Sequence, residues 1–429
     1  MDKLLYLHFT AFLLLFFSPF LSPSKHLKEI MKEKYENLKF VRKIRLHEND
    51  SVILTNVTNV STNSNSSKIL ISDAKGKILI LFDANTGKII KSFEAGLNFS
   101  DSLAIKGKYW NDEYRYVTKD KIRDKSGKPM TEEFLKKRLA NEIINGVFYN
   151  DQEILASAHI RCFAIPTDTN QKDKGINIGL ATGLIKINLE NESNAYFPLE
   201  QLPYAFPQGY FFAIDSILNN IVIITKNFPA LWNNFYDSLW IIGSYSFDGK
   251  LINLVAKLPE EYTQTKLGYK MLHEPRFCFN DSNELLCVFP YAERIFNLTK
   301  GLDFKLQSLP HSNKVYLDSL IDDPDLQGEF LQRYFYFLPI TIDNIYTRKN
   351  NNIIITLFHV FKFNDSLVIR ERIIQEYTPD GKLVKQYKFN NNDNDTYINF
   401  IYYDKYKDEF LIIKSSKSQG WIIDFYKSD

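Results

Sequence analysis

Cysteine is scarce in this sequence, and its scarcity excludes a scaffold built on disulfides. Three cysteines in 429 residues cannot cross-link many loops, and a chain of this length can bury a large apolar core without such links. Long basic blocks are also missing, because 53 lysines and arginines are balanced by 51 acidic residues, for a formal net charge of +2. A nucleic-acid-binding surface needs concentrated positive charge, so we expect no nucleic-acid partner.

Short motifs typical of enzymes and cofactor sites are absent as well. The sequence has no glycine-rich phosphate loop, no Gly-x-Ser-x-Gly, no Cys-x-x-Cys and no His-Glu-x-x-His. We therefore expect no cofactor and no resident metal ion. These absences favour a binding protein over an enzyme, and they leave open an enzyme that has no familiar motif.

The amino terminus has the layout of a secretory signal peptide. Lys3 precedes an apolar stretch over residues 4–17, and small residues and prolines follow up to residue 24. Cleavage before Lys25 would release an exported protein, either periplasmic or at the cell surface. An uncleaved segment that holds the protein on the membrane is the alternative.

The feature present in quantity is apolar segments of strand length. The clearest example is residues 68–94 (KILISDAKGKILILFDANTGKIIKSFE), in which three apolar runs are separated by two turns. Asp73 with Gly76 and Asp83 with Gly87 provide a side-chain acceptor and a residue that tolerates positive φ, as tight hairpins require. This pattern is typical of one blade of a β-propeller.

Comparable groups of runs recur along the chain, and they predict an all-β, six-bladed propeller as a single domain over residues 40–429. The last group, residues 397–427, has only three runs. We therefore expect the isolated strand near residues 40–46 to complete that blade and close the ring. Seven blades remain open if the interval 106–151 contains another. We expect the propeller to be a monomer.

Two helices are predicted outside the blades. Residues 25–39 form an amphipathic helix or linker, because Leu27, Ile30 and Met31 recur at helical spacing among charged residues. A second helix is predicted over residues 131–145, where Thr131 is suited to cap the amino terminus and acidic residues fill the first turn.

The repeated Asp-x-x-Gly-Lys turns and the stretches 279–298 (FNDSNELLCVFPYAERIFNL) and 400–413 (FIYYDKYKDEFLII) resemble an uncharacterised group of exported six-bladed propellers from Bacteroidota-type bacteria. That group has the architecture of TolB-like and NHL-like propellers. The resemblance implies the fold and export. It assigns no catalytic residue, and this chain departs from the many lipoproteins of the group because no cysteine follows its apolar amino-terminal stretch.

Two clusters of ionisable residues are candidates for ligand binding. His273 and Arg276 lie just before a predicted strand, where they could provide an acid–base group and an anion-binding group at the channel mouth. His159 and Arg161 alternate with apolar neighbours in AHIRCFAI and share one strand face. Both clusters could equally form ordinary structural pairs.

Aromatic residues between predicted strands are further candidates. Trp232 and Tyr236 lie in the segment NFPALWNNFY, where exposed rings beside asparagine amides would suit a glycan. Aromatic residues that fill blade interfaces are the alternative.

Cys278 and Cys287 flank a predicted turn centred on Ser282 and Asn283. In that register the two cysteines face each other, which allows a cross-strand disulfide. Two buried thiols are the alternative, because directly opposed strand positions often have unsuitable disulfide geometry.

The functional hypothesis is an exported propeller that binds a protein, peptide or glycan partner through its top-face loops or its central channel. The alternative is a propeller enzyme of the lyase, lactonase or glycoside-processing type with its site in the channel.

Overall fold

A computed structural model describes residues 35–49, 52–73, 75–94, 109–111, 114–117, 128–129, 131, 142–166, 177–191, 194–200, 205–227, 240–265, 274–313, 340–362, 368–390 and 395–428. The strands in these residues form six sheets, five of four strands and one of six strands, and every sheet contributes to the lining of one central cavity. The fold is therefore an all-β, six-bladed propeller, as predicted.

The strands are as follows. The closing strand is β1 (Lys39–Arg45), and blade one contains β2 (Val57–Thr62), β3 (Lys68–Asp73), β4 (Ile78–Asp83) and β5 (Ile89–Glu94). Blade two contains β8 (Glu142–Asn150), β9 (Glu153–Pro166), β10 (Asn177–Asn188) and β11 (Asn194–Pro198), and its sheet is extended by β6 (Tyr109–Asn111) and β7 (Tyr114–Val117). Blade three contains β12 (Ala205–Asp215), β13 (Asn220–Asn227), β14 (Trp240–Ser246) and β15 (Leu251–Lys257).

The remaining blades follow the same order. Blade four contains β16 (Arg276–Phe279), β17 (Leu285–Val288), β18 (Arg294–Asn297) and β19 (Leu302–Lys305). Blade five contains β20 (Ile340–Thr347), β21 (Ile353–Lys362), β22 (Val368–Tyr377) and β23 (Leu383–Asn390), and blade six contains β24 (Thr396–Asp404), β25 (Glu409–Ser416) and β26 (Gly420–Lys427).

The ring is closed by the first described strand. β1 pairs antiparallel with β26, the last strand of the chain, so blade six takes its outermost strand from the amino-terminal side. This pairing confirms the predicted closure, and it joins the two ends of the chain in one sheet.

Apolar clusters fill all six interfaces between neighbouring blades. In the closing interface, Ile423 of blade six shares a cluster with Ile69 and Ile71 of blade one, and all three side chains are fully buried. Burying a side chain of this size contributes roughly 2 kcal/mol. Middle strands such as β4 and β17 are mostly apolar and buried, because a neighbouring blade covers each of their faces.

The repeated outer turns attach each blade to the one before it. Gly87 has a φ of 68°, and its carbonyl accepts a hydrogen bond of 2.9 Å from the amide of His47, just after the closing strand. Gly249 repeats this arrangement, because its carbonyl accepts a bond of 2.7 Å from the amide of Glu200 after the outer strand of blade two. These turn residues are structural, as the sequence indicated.

The described residues include only parts of the two predicted helices. Residues 142–150 form strand β8, so the helix predicted over 131–145 is wrong at its carboxyl end, and residues 132–141 lie outside the described residues. The signal segment and most of the 25–39 helix also lie outside them, whereas Glu36 forms a β-bridge with Tyr387. The one described helix is α1 (Glu260–Thr265). No helix in the described part of the chain could span a membrane.

Candidate ligand-binding site

The innermost strands of all six blades surround a cavity of about 450 Å³ at the centre of the ring. Each blade contributes to its wall, including Asn59 and Ser61, Asn145 and Phe148, Phe211 and Ala213, Arg276 and Phe279, Asn344 and Tyr346, and Tyr402 and Lys405. The described wall therefore combines amides, aromatic rings and two cationic side chains.

Three of the inner strands carry an asparagine at an equivalent position. A β-bulge precedes Asn59, Asn145 and Asn344, since the ladder skips one residue just before each of them. Each asparagine then lies opposite a hydroxyl residue of the second strand, which is Ser72, Ser157 or Thr356. Because a bulge re-aims side chains locally, it explains how a polar residue in an apolar strand comes to line the cavity.

Some of these amides connect blades, and one does not. The Asn59 side chain donates a hydrogen bond of 3.2 Å to the Gly146 carbonyl, and Ser72 Oγ donates one of 3.3 Å to Asn145 Oδ1. The Asn344 side chain, only 9% exposed, forms no hydrogen bond with a described residue. Its amide donor and acceptor therefore lie in the cavity wall unused by any described residue.

Arg276 brings a positive charge to the same wall. Its guanidinium lies 3.3 Å from the centroid of the Phe211 ring, and Nη1 donates a hydrogen bond of 3.1 Å to the Glu274 carbonyl. Burial lowers the pKa of Arg276 to about 10, partly offset by the Glu274 carboxylate and the Tyr346 hydroxyl. No carboxylate among the described residues forms an ion pair with this guanidinium.

Tyr346 of blade five and Tyr402 of blade six complete the wall on that side of the cavity. Their rings meet edge to face with centroids 5.6 Å apart, and Tyr346 donates a hydrogen bond of 2.8 Å to the Ile401 carbonyl. Burial raises the pKa of Tyr402 to about 12 and raises that of Tyr346 well above its ordinary value. Both hydroxyls therefore remain protonated, and the rings contribute neutral surface.

The turns that follow the inner strands form one mouth of the cavity. Ile217, which is 70% exposed, belongs to the turn of blade three. Asp281 of blade four and Lys405 of blade six also line the cavity and form an ion pair of 3.8 Å. This pair is half-exposed, so water screens it and it contributes little to stability.

Only some of the ligand-binding residues predicted from the sequence lie among the described residues. Arg276 lies in the cavity wall, whereas His159 lies on β9, the second strand of blade two, and does not belong to the described lining. His273, Trp232 and Tyr236 lie outside the described residues, as does the side chain of Arg161. Their binding roles stay predictions.

The register predicted for the two cysteines is wrong by one residue. Cys278 pairs with Leu286, and Phe277 pairs with Cys287. Successive side chains of a strand point to opposite faces, so Cys278 packs in the interface with blade five and Cys287 in that with blade three. Both thiols are free, and burial raises the pKa of Cys278 to about 12.

Sequence reasoning missed a second polar cluster, outside the cavity. His311 Nδ1 lies 2.9 Å from His359 Nε2, and His359 Nδ1 lies 3.0 Å from a Glu371 oxygen. Lys388 forms an ion pair of 3.2 Å with the same carboxylate. Burial, followed by the charge of His359, lowers the pKa of His311 to about 4. These residues are distant in sequence, so no local motif announces them.

No family model and no curated protein matches this sequence. Solved structures match it in fold. A member of the DUF4221 family from Bacteroides vulgatus is 11% identical over 91% of this chain and 97% of that chain, with a TM-score of 0.49. A candidate exported protein from Bacteroides fragilis is 12% identical over 92% of this chain and 95% of that chain, with a TM-score of 0.50.

At these identities the similarity shows the six-bladed propeller fold and assigns no function. It agrees with the resemblance of the sequence to uncharacterised exported propellers, at the level of the fold.

Proposed function

We propose that this chain is an exported binding protein that holds a small polar ligand in its central channel. The observation that carries this proposal is the composition of the wall around the cavity of about 450 Å³, where asparagines at bulged positions meet aromatic rings and the partly exposed Arg276. Small-ligand sites have volumes of roughly 300–1,000 Å³ and a few polar groups on a largely apolar wall.

The size of the cavity favours a small ligand over a folded partner. A monosaccharide or a comparably small molecule fits this volume, whereas a folded protein would contact only the rim. The signal-like amino terminus and the similarity to a candidate exported protein support an encounter with that ligand outside the cytoplasm.

The wall gives less support to a lyase, lactonase or glycoside-processing enzyme. Such reactions need acid–base groups near the bond that breaks. Among the described lining residues, the one carboxylate belongs to Asp281, which lies at the mouth and pairs with Lys405.

A substitution that narrows the mouth of the cavity tests this proposal. Ser216 is exposed in the turn of blade three and lines the cavity, so Ser216→Trp should obstruct entry without disturbing a blade interface. Ser282→Trp is the matched control, because Ser282 is exposed in the equivalent turn of blade four and does not line the cavity.

Thermal unfolding is then measured with a panel of neutral sugars, sugar acids and amino acids. At least one class should raise the melting temperature of the native protein and of Ser282→Trp, and leave that of Ser216→Trp unchanged. Equal stabilisation of both tryptophan variants would contradict a channel site.

A further inference from the structure

Arg276 forms no ion pair with a described carboxylate, and the Glu274 carboxylate offsets only part of the effect of burial. Transferring a guanidinium out of water is costly unless a carboxylate or several acceptors compensate it. Arg276 has the Glu274 carbonyl and the Phe211 ring as its close contacts, and the lowered pKa of its guanidinium follows mainly from burial. An anion in the cavity would supply the missing compensation.

The Phe211 ring fixes the orientation of this guanidinium. A planar guanidinium stacked on an aromatic face keeps its fork of N–H donors in one plane, which matches the two oxygens of a carboxylate. Arg276 is the first residue of β16 and lies three residues before the end of that strand, or ~10 Å along it. A carboxylate bound there would lie deep in the channel, with the rest of the ligand towards the mouth.

The rest of the wall suits hydroxyl groups. Asn344 lines the cavity and offers a donor and an acceptor that no described residue uses. Asn59 keeps its side-chain oxygen unbonded to described residues while its amide nitrogen donates to Gly146. Amides of this kind bind ligand hydroxyls in both directions.

The charge count argues for a single negative charge. Among the described lining residues the cations are Arg276 and Lys405, and Lys405 is already paired with Asp281. A phosphate would call for more than one unpaired cation or a row of backbone amides.

We infer that the channel ligand is a small hydroxylated carboxylic acid of the sugar-acid class, whose carboxylate binds Arg276 and whose hydroxyls bind the asparagines of the inner strands. This inference rests on the proposed channel function and specifies its ligand.

The test compares acids with their neutral amides. Binding of gluconate, glucuronate, galacturonate and lactate, and of the amide of each, is measured by calorimetry on the full mature protein. At least one sugar acid should bind, and its amide should bind about tenfold more weakly or not at all, because a charge-assisted hydrogen bond is lost. Lactate, with one hydroxyl, should bind more weakly than the sugar acid.

Three variants assign the effect to Arg276. Arg276→Met should reduce the affinity for the acid about tenfold or more and leave that for the amide unchanged. Arg276→Lys should be intermediate, because it keeps the charge and loses the planar fork. Lys382→Gln, which removes a cation from an exposed outer turn outside the described cavity lining, should change the affinity by no more than about twofold.

The outcomes separate this inference from the proposed function. Equal binding of acid and amide, or an Arg276→Met variant that binds the acid normally, would overturn the carboxylate inference. Neutral ligands that bind and are blocked by Ser216→Trp would then leave the channel function standing. Failure of every acid to bind would also overturn the inference.

Discussion

Two arginines, Arg276 and Arg372, show how the channel wall differs from the blade interfaces. Burial lowers the pKa of both Arg276 and Arg372 to about 10. Arg372 forms an ion pair with Asp343, donates to the carbonyls of Ile398 and Asn399 at 3.3 Å, and lies over the Phe358 ring at 4.3 Å.

The contacts of Arg276 are fewer, and this residue is partly exposed, whereas Arg372 is buried. Its guanidinium has one carbonyl acceptor and one ring and faces a cavity. A protein gains stability from a buried charge only when the charge is well paired. The contacts of Arg372 hold blades five and six together, whereas the proposal above assigns Arg276 to a bound ligand.

Substitution of Arg372 should have the largest effect on the free energy of unfolding. Arg372→Met should lower the free energy of unfolding by about 3 kcal/mol, because Asp343 and two carbonyls lose their donor. Denaturant unfolding measures this change. The double variant with Asp343→Asn should recover part of the loss, and a loss below about 1 kcal/mol would show that the ion pair does not stabilise this interface.

The turn at Gly87, which contacts the closing strand, should show the next largest effect on the free energy of unfolding. Gly87→Ala should cost about 2 kcal/mol or more, because φ is 68° and a Cβ would overlap the Arg45 carbonyl of the closing strand. Gly301→Ala is the matched control, since its φ is 65° and no atom lies within 4 Å of the added Cβ. It should cost about 1 kcal/mol. Equal losses in thermal or denaturant unfolding would remove the argument for a close backbone contact.

The polar cluster around His311 and His359 should make a smaller contribution to the free energy of unfolding, and this contribution should depend on pH. The pKa of His311 falls from its ordinary 6.5 to about 4 in the folded protein, so the unfolded chain binds the proton first as the pH falls. This contribution is therefore complete above pH 6.5 and is lost towards pH 4. His311→Phe keeps an aromatic ring against His359 and removes the titrating group. The free energy of unfolding should therefore depend less on pH between 6.5 and about 4. His47→Phe, at an exposed position, should not reduce this dependence, and a slope unchanged in His311→Phe would contradict this account.

Much of the fold could be predicted from local patterns. The side chains of Asp73 and Asp83 accept hydrogen bonds from amides of the turns that follow their strands, as predicted. The missing fourth run of the last group correctly indicated a closing strand. The helix predicted from Thr131 fails at Glu142 because residues 142–150 must complete blade two. Tertiary pairing outweighs local helix propensity there.

The cysteine register failed for a specific reason. A two-residue turn at Ser282 and Asn283 was assumed, whereas the amide of Asn280 bonds to the Glu284 carbonyl at 3.1 Å, which closes a three-residue loop. Asn283 takes the left-handed conformation with a φ of 57°. The extra loop residue shifts the pairing by one and moves Cys278 and Cys287 to opposite faces.

The binding site was only partly predictable. Arg276 was identified as part of a cluster of ionisable residues just before a predicted strand. The asparagines were missed because a single Asn in an apolar run does not reveal a bulge, and the bulge decides which way its side chain points. Their recurrence in NVST, NGVF and NIYT was the available signal.

The most direct test of the central claim is the stability of Arg276→Met without any ligand. If Arg276 serves a ligand, exchanging its unpaired charge for an apolar side chain of similar length should leave the free energy of unfolding within about 0.5 kcal/mol of the native value, or increase it. A loss of about 2 kcal/mol or more in denaturant unfolding would show that Arg276, like Arg372, is held for the fold, and would contradict the account.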